Sequence, residues 1–230
     1  MKLLLTSNGL SNDSIAKAFE ELIGKRPKDS KVAFIPTAAN PERENKDWLI
    51  DDLYRIKEQG YIVDIVELTA LKPAEIAKIL KDSDAIFVGG GNTFYLSYWL
   101  QKSGVFDLLP GLLKTRVYAG ISAGSMIACA SLMPSDVIKD GFIDKHYYEK
   151  SIKDGGSDKS LSLVTIIFRP HLNSEFFPMV NEQNLAKIAS TLEYPLYALD
   201  DMSALKIVDD KIEVISEGTW KVFNNRTGNT

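Results

Sequence analysis

The chain has 230 residues, of which 45% are hydrophobic and 25% charged, a composition typical of one globular domain with a sizeable buried core. We therefore predict a single α/β domain over residues 1–230. Its formal net charge of -4 provides no basic field for nucleic acid or an anionic membrane surface, so we expect neither as a partner.

The first two thirds of the chain alternate short apolar runs with amphipathic segments, which predicts parallel strands joined by crossover helices. Strands are predicted over residues 2–6, 32–35, 62–68, 85–88 and 116–121. Helices are predicted over residues 13–23, 46–58, 73–80 and 93–101, with Asp13 and Thr93 as N-caps and Gly60 and Gly104 as end signals. This order favours a doubly wound, mostly parallel sheet.

Residues 133–159 interrupt the alternation with a polar, charged stretch that contains Pro134, Gly141, Gly155 and Gly156. Loops of this length in compact domains are usually functional or disordered. After it we predict a strand over 161–168, a helix over 181–191, and closing strands over 196–199, 204–208 and 212–216. The polar residues 224–230 are expected to fray.

The motif Gly-x-Ser-x-Gly at residues 120–124 predicts a nucleophile elbow. It follows an apolar strand and precedes a helix-compatible run, and a sharp strand-to-helix turn accepts only small flanking residues. The turn would place Ser122 at the carboxyl ends of the strands, where ligands of open α/β sheets bind. It would also place Ser122 at a helix N-terminus, whose N–H groups stabilise negative charge. Taken alone, the motif has an equally good structural interpretation, in which its small residues serve only to let the helix pack closely against the strand.

The run VGGGNT also lies between a strand and a helix. Glycines expose backbone N–H groups, so we expect Gly90 or Gly91 to form an oxyanion hole together with the N–H of Ala123. Asn92 and Thr93 are expected to contact substrate. A phosphate-binding turn is the alternative, but the run lacks both the GxGxxG spacing and the GK[ST] ending of nucleotide sites.

A serine nucleophile needs a base, and the chain has two histidines. His171 follows a predicted strand and therefore shares the rim of the sheet with Ser122. His146 lies beside Lys145 in the polar excursion and is interpreted as a solvated surface residue. We predict His171 as the general base and Asn173, two residues later, as a substrate contact.

The base in turn needs a carboxylate that holds its tautomer. Asp200 and Asp201 follow a predicted strand on the same rim, and Asp136 lies fourteen residues after Ser122. Because an Asp pair after a strand is often a turn feature, the residues alone do not select among them.

The motifs VGGGNTF, GISAGS, RPHLN and ALDDMSAL together resemble the S51 peptidase family, which contains dipeptidase E and, more distantly, the cyanophycinases. The resemblance extends from Lys2 to about Ser216. It implies a flavodoxin-like sheet related to the class I glutamine amidotransferases, with a serine in place of their cysteine. It also implies neither a metal nor an organic cofactor.

The resemblance carries the family nucleophile onto Ser122 and the family histidine onto His171. It carries the third member, usually a glutamate, onto Asp201, which is one methylene shorter. Asp136 matches another acidic position of the family and is the alternative acid.

The resemblance fails at the position that governs specificity. Dipeptidase E is similar in having an arginine downstream of its histidine that receives the aspartyl side chain of the substrate. The matching segment here offers Asn181, and no basic residue lies between His171 and Lys187. We do not extend the aspartyl preference to this chain.

We therefore expect a serine peptidase that hydrolyses a small substrate such as a dipeptide. One alternative is a non-catalytic protein that binds a small ligand on the same fold, but such a protein has no use for a base directed at a serine. The other is an α/β-hydrolase esterase, in which the acid precedes the histidine. Here His171 precedes Asp201, so the order disfavours the esterase unless Asp136 is the acid.

The remaining expectations concern metals, location and assembly. A single cysteine, Cys129, excludes an internal disulfide and a cysteine-based zinc cluster, and we expect it to be a buried packing residue. The N-terminus lacks a signal-peptide pattern, and no apolar run approaches the ~18 residues of a membrane span. We expect a cytoplasmic protein whose partner is a small peptide substrate. Assembly into a homodimer is left open.

Overall fold

A computed structural model describes residues 1–43, 45–132, 153 and 155–224. The strands are β1 (Lys2–Thr6), β2 (Lys31–Ile35), β3 (Ile62–Ile65), β4 (Ala85–Val88), β5 (Val117–Ile121), β6 (Ile167–Arg169), β7 (Leu196–Leu199), β8 (Ser203–Val208), β9 (Lys211–Ser216) and β10 (Trp220–Phe223). The helices are α1 (Asp13–Ile23), α2 (Asp47–Glu58), α3 (Pro73–Asp82), α4 (Thr93–Lys102), α5 (Val105–Leu112), α6 (Ala123–Met126) and α7 (Glu182–Ala189).

The larger sheet has the strand order β3-β2-β4-β5-β1-β8-β9. The five strands from β3 to β1 are parallel, whereas β8 and β9 add antiparallel strands at one edge. This arrangement confirms the predicted doubly wound, mostly parallel sheet. β1 has a central place in it, since Thr6 pairs with Ile121 of β5 on one side and with Ala204 of β8 on the other.

Helices cover both faces of this sheet, so its strands are apolar on both sides. Successive residues of β1 show the two faces. Leu4 packs with Phe19 and Phe87 on one face, and Leu3 and Leu5 belong to the cluster on the other. All five of these side chains are fully buried. Parallel strands buried on both faces produce the short, continuous apolar runs from which the strands are predicted.

A second sheet carries the segments that approach the rim of the first. Within it β7 pairs in parallel with β6 and antiparallel with β10. Its own small core includes Ile167 and Leu196 packed with Leu185 and Ile188 of α7. The strand predicted over 196–199 is confirmed as β7, but it lies in this second sheet and not in the sheet of the other closing strands, β8 and β9; β10 is not predicted. Because β6 and β7 are neighbours, the residues that follow them emerge side by side.

The segment before β6 differs from its prediction. A strand is predicted over 161–168, but β6 begins only at Ile167 and Val164 forms an isolated bridge. The N–H groups of Leu161 and Leu163 donate to carbonyl groups that follow α6, each at 2.8 Å. Because these N–H groups bind carbonyl groups at the end of α6, they are not available to a neighbouring strand, and the segment does not extend β6.

Several helix ends also differ from the predictions. Asn12 and Asn92, rather than Asp13 and Thr93, are the N-caps, because their side chains accept hydrogen bonds from the first turns of α1 and α4. Gly104, with φ of 80°, ends α4 as predicted, and Gly60 likewise follows the end of α2. The helix α5 is not among those predicted, since its run contains a proline and a glycine that usually interrupt helices.

None of the helices in the described part of the chain is long and apolar enough to cross a membrane.

Candidate active site

Ser122 occupies a strained turn between β5 and α6. Its φ of 47° and ψ of -104° lie in a region that residues with side chains rarely adopt. A Cβ added at Gly120 would lie 2.5 Å from backbone atoms of Gly124, and one added at Gly124 would lie 2.0 Å from the carbonyl oxygen of Val88. The two glycines of the motif are therefore required by the close approach of the helix to the sheet. The turn has the shape of a nucleophile elbow.

The end of β1 anchors this elbow. The N–H of Ser122 donates to the carbonyl of Thr6 at 3.0 Å, and the buried hydroxyl of Ser125 donates to the same carbonyl at 2.8 Å. The Tyr118 hydroxyl holds the other side by donating to the carbonyl of Gly124 at 2.6 Å. These bonds offset the strain of the turn and leave the partly exposed Ser122 side chain outside the core.

His171 lies directly opposite Ser122. It follows β6 with a positive φ of 64°, and its Nε2 is 3.0 Å from the Ser122 Oγ. The Phe177 ring stacks on the imidazole, with ring centroids 4.6 Å apart and an interplanar angle of 14°. The imidazole is thus held by a flat contact on one face while its Nε2 points at the serine.

Asp201 completes a hydrogen-bonded chain. Its Oδ1 is 2.7 Å from the His171 Nδ1, so the shorter side chain spans the distance without difficulty. Burial by itself would raise the pKa of Asp201. The hydrogen bond and charge of His171, the hydroxyl of Ser7 and the charge of Arg55 outweigh burial, so the pKa lies below the ordinary value. An ionised carboxylate only accepts, which places the proton on Nδ1 and leaves Nε2 free to accept from Ser122.

Two other carboxylates, Asp200 and Asp136, were candidates for the acid. The side chain of Asp200 accepts hydrogen bonds from the Ser203 hydroxyl at 2.6 Å and from the N–H groups of Met202 and Thr219. It is a turn residue. Asp136, the alternative acid, lies outside the described residues, as does His146.

Sequence reasoning missed Ser7. This fully buried residue follows β1, donates its hydroxyl hydrogen to the Asp201 Oδ1 at 2.7 Å, and accepts the N–H of His171 at 2.9 Å. A serine after a strand carries no local signal. Only the pairing of β1 with β5 and β8 brings it to the site.

The glycine-rich loop lies beside the elbow. A Cβ added at Gly90 would be 3.6 Å from the Cβ of Ser122, and one added at Gly91, with φ of 123°, would collide with the carbonyl of Ala38. Within residues 1–43, 45–132, 153 and 155–224, the N–H groups of Gly90, Gly91 and Ala123 have no hydrogen-bond acceptor. They are therefore available to a bound oxyanion.

The predicted substrate-binding residues differ in exposure. Asn92 is 6% exposed and its side-chain oxygen caps α4 at Tyr95, and Thr93 is 9% exposed in the first turn of that helix. The side-chain oxygen of Asn92 is thus engaged as a helix cap, and Thr93 is largely buried. Asn173 is exposed on the loop after His171, with φ of 60°.

Asn181, the residue that the family resemblance matches to an arginine, uses its side chain locally. Its oxygen caps α7 by accepting the N–H of Asn184 at 3.0 Å, and its amide donates to the carbonyl of Pro178 at 2.9 Å. It is a helix cap that faces its own loop.

Groups for other chemistries are few in the described part of the chain. It contains no cluster of three or more histidine, cysteine or acidic side chains placed to hold a metal ion. Cys129 is buried, and burial raises the pKa of its thiol to about 12, so it is inert at neutral pH.

Comparison with known proteins gives a consistent result. The model of peptidase family S51 matches residues 3–215. An uncharacterized peptidase of Pasteurella multocida is 28% identical over 188 residues, covering 81% of this chain and 85% of the relative. A peptidase E of a Nostoc species is 27% identical over 235 residues, covering 96% and 88%. A crystal structure from Listeria monocytogenes assigned to peptidase E superposes with a TM-score of 0.76 at 23% identity, covering 94% of this chain and 98% of the other.

Proposed function

Since this chain belongs to peptidase family S51 and is a serine-type peptidase, we propose that it hydrolyses the peptide bond of a small substrate such as a dipeptide. We assign Ser122 as nucleophile, His171 as general base and Asp201 as the orienting acid. The observation that carries the assignment is the hydrogen-bonded chain from the Ser122 Oγ through the two ring nitrogens of His171 to the Asp201 Oδ1, with distances of 3.0 and 2.7 Å.

The proposed reaction begins when the Ser122 Oγ attacks the carbonyl carbon of the substrate and His171 Nε2 takes the hydroxyl proton. The carbonyl oxygen then carries negative charge. The N–H of Ala123 and that of Gly90 or Gly91 are the donors we assign to it, because they lie at the elbow and at the loop beside it. Asp201 stabilises the imidazolium that forms.

Collapse of the tetrahedral intermediate breaks the C–N bond, and His171 returns the proton to the leaving amine. Water then attacks the acyl-serine and gives its proton to the same Nε2. The carboxylate product leaves and Ser122 regains its hydrogen, so the site ends as it began. Each proton moves between groups that the described structure brings within hydrogen-bond distance or that the substrate supplies.

For the substrate, we propose an uncharged first side chain. The loop after His171 exposes apolar surface next to the base, with Phe177 45% and Phe176 89% exposed. Asn181 is committed to its helix cap, so it provides no compensation for a buried carboxylate. A strong preference for aspartyl substrates would instead show that a cation such as Arg169 or Lys187 reaches the substrate.

The direct test is hydrolysis of a dipeptide panel by the wild type and by Ser122→Ala. The proposal expects turnover by the wild type, and none above background by the variant at unchanged thermal stability. Ser30→Ala is a matched control, because Ser30 is a buried serine that lies before β2, at the opposite end of the parallel strands, where its hydroxyl donates to the carbonyl of Arg26. Turnover that survives in Ser122→Ala would refute the covalent mechanism.

A further inference from the structure

Ser7 lies between the nucleophile and the acid. The preceding residue, Thr6, pairs with Ile121 on one side and with Ala204 on the other. One of these neighbours leads directly into Ser122, and the other lies just after Asp201. Ser7 is fully buried, so its hydroxyl exchanges no hydrogen bonds with bulk water.

The hydroxyl of Ser7 has one hydrogen, and its surroundings fix where that hydrogen points. The His171 N–H, 2.9 Å away, occupies the oxygen as an acceptor, and the Asp201 Oδ1, 2.7 Å away, receives the hydrogen. The His171 Nδ1 is 3.5 Å from the same oxygen. Since the hydroxyl hydrogen is directed at Asp201, the Nδ1 must supply its own proton to the carboxylate.

We propose that Ser7 is a positioning residue for the Ser122 site. Its hydroxyl ties the carboxylate of Asp201 to the backbone of His171 and thereby holds the Oδ1 of Asp201 at the Nδ1 of His171. It also stabilises the ionised form of Asp201, whose pKa is lowered in part by this bond. The role in turnover rests on the proposed function, whereas the effect on the His171–Asp201 pair does not.

Other residues of the β1–α1 loop hold the main chain at and directly after Asp201. The Ser11 hydroxyl donates to the carbonyl of Asp201 at 2.7 Å, and the Asn12 amide donates to the carbonyl of Met202 at 2.9 Å. The Arg55 guanidinium holds this loop by donating to the carbonyl of Asn8 at 3.0 Å. Only Ser7 reaches the carboxylate from this loop, so its removal separates side-chain positioning from main-chain support.

Ser7→Ala is the informative variant, with Ser203→Ala as the matched control. Ser203 is also a fully buried serine beside the acid, but its hydroxyl donates to Asp200 instead of Asp201. Loss of one hydrogen bond to a charged group corresponds to roughly 10- to 100-fold in rate, so Ser7→Ala should lower kcat by that factor. KM should change by less than about 3-fold, because no substrate contact is lost.

The pH dependence of kcat/KM distinguishes a positioning role of Ser7 from a general loss of stability in the variant. Without the Ser7 hydroxyl the pKa of Asp201 rises and its hold on the imidazole proton strengthens. The acid limb of kcat/KM should therefore move to higher pH in Ser7→Ala and stay in place in Ser203→Ala. Should Ser7→Ala fold poorly, the nearly isosteric Ser7→Cys, whose S–H is a weak donor, should show a smaller shift in the same direction.

Nitrogen-15 NMR of the two histidines tests the proposal without turnover, with His146→Gln to separate their signals. In the wild type neutral His171 should be protonated at Nδ1, and Ser7→Ala should move the Nδ1 proton signal downfield, because Asp201 then holds that proton more strongly. An unchanged Nδ1 proton signal and acid limb in Ser7→Ala, or an equal kcat loss in Ser203→Ala without a shift in either variant, would overturn the positioning role. If the wild type shows no Ser122-dependent hydrolysis, the proposed function fails, and the Nδ1 proton signal still decides the role of Ser7.

Discussion

Replacing Asp201 by asparagine tests the assigned acid with the least change in shape. In the wild type two donors converge on one carboxylate oxygen, the Ser7 hydroxyl and the His171 Nδ1, each at 2.7 Å. An asparagine can present an oxygen at that point in one orientation of its amide and an NH2 group in the other. The size of the rate loss reports which orientation prevails.

The two orientations of the amide set the lower and upper limits of the expected rate loss. If the amide oxygen faces both donors, the tautomer is kept and only the charge is lost, which is roughly a 10- to 100-fold effect for a charge-assisted hydrogen bond. If the NH2 group faces His171, it forces the proton onto Nε2, which then cannot accept from Ser122, and losses in such triads reach ~10⁴-fold. We expect kcat/KM of Asp201→Asn to fall between these limits at neutral pH, with the thermal midpoint nearly unchanged.

The assay is dipeptide hydrolysis at neutral pH, with thermal unfolding measured on the same samples. Asp136→Asn is the companion variant, and we expect it to lower kcat/KM much less. A rate for Asp201→Asn within about 3-fold of the wild type would refute the reasoning. If Asp136→Asn were the impaired variant instead, the acid would be Asp136 and Asp201 would have no catalytic role.

Four further predictions follow from the same structure. His171→Ala should be as inactive as Ser122→Ala because His171 and Ser122 act as a unit, whereas His146→Ala should retain wild-type activity. An inactive His146→Ala would show that the general base has been assigned to the wrong histidine. EDTA should leave hydrolysis unchanged, and a loss that zinc or manganese restores would contradict this. Dipeptides with a neutral or polar first residue should be cleaved at least as well as aspartyl dipeptides, so a strong preference for aspartyl substrates would reveal an overlooked cation. Burial raises the pKa of Asp52 to about 7, so the native state holds a proton that the unfolded state loses and stability falls as pH rises towards 7. Asp52→Asn should therefore gain roughly 4 kcal/mol over the wild type on going from pH 4 to pH 8, and an equal difference at both pH values would disprove the shift.

The parts of the site that could be predicted from sequence are those with a local cause. The glycines around Ser122 are needed because the helix and strand backbones approach closely there, and that need appears directly as Gly120 and Gly124. The parallel strands are predicted because burial on both faces produces unbroken apolar runs. His171 and Asp201 each follow a strand, which places them at the correct rim, although the choice of Asp201 came from the family resemblance.

The parts that could not be predicted depend on contacts between distant segments. Ser7 and Asp201 are 194 positions apart and meet only because β1 pairs with β8. The second sheet is equally non-local, since nothing in the run 196–199 tells which partners β7 takes. The capping roles of Asn92 and Asn181 are local, but the same residue type also serves as a substrate contact, so the sequence pattern alone does not separate the two roles.

Labelling with a fluorophosphonate probe tests the central claim most directly. The probe reacts with a serine only where a base activates it, and mass spectrometry then identifies the modified residue. Our account expects one adduct, on Ser122 of the wild-type protein, that is absent in Ser122→Ala and strongly reduced in His171→Ala. Folded protein that hydrolyses peptides without forming this adduct, or that carries the adduct on another residue, would contradict it.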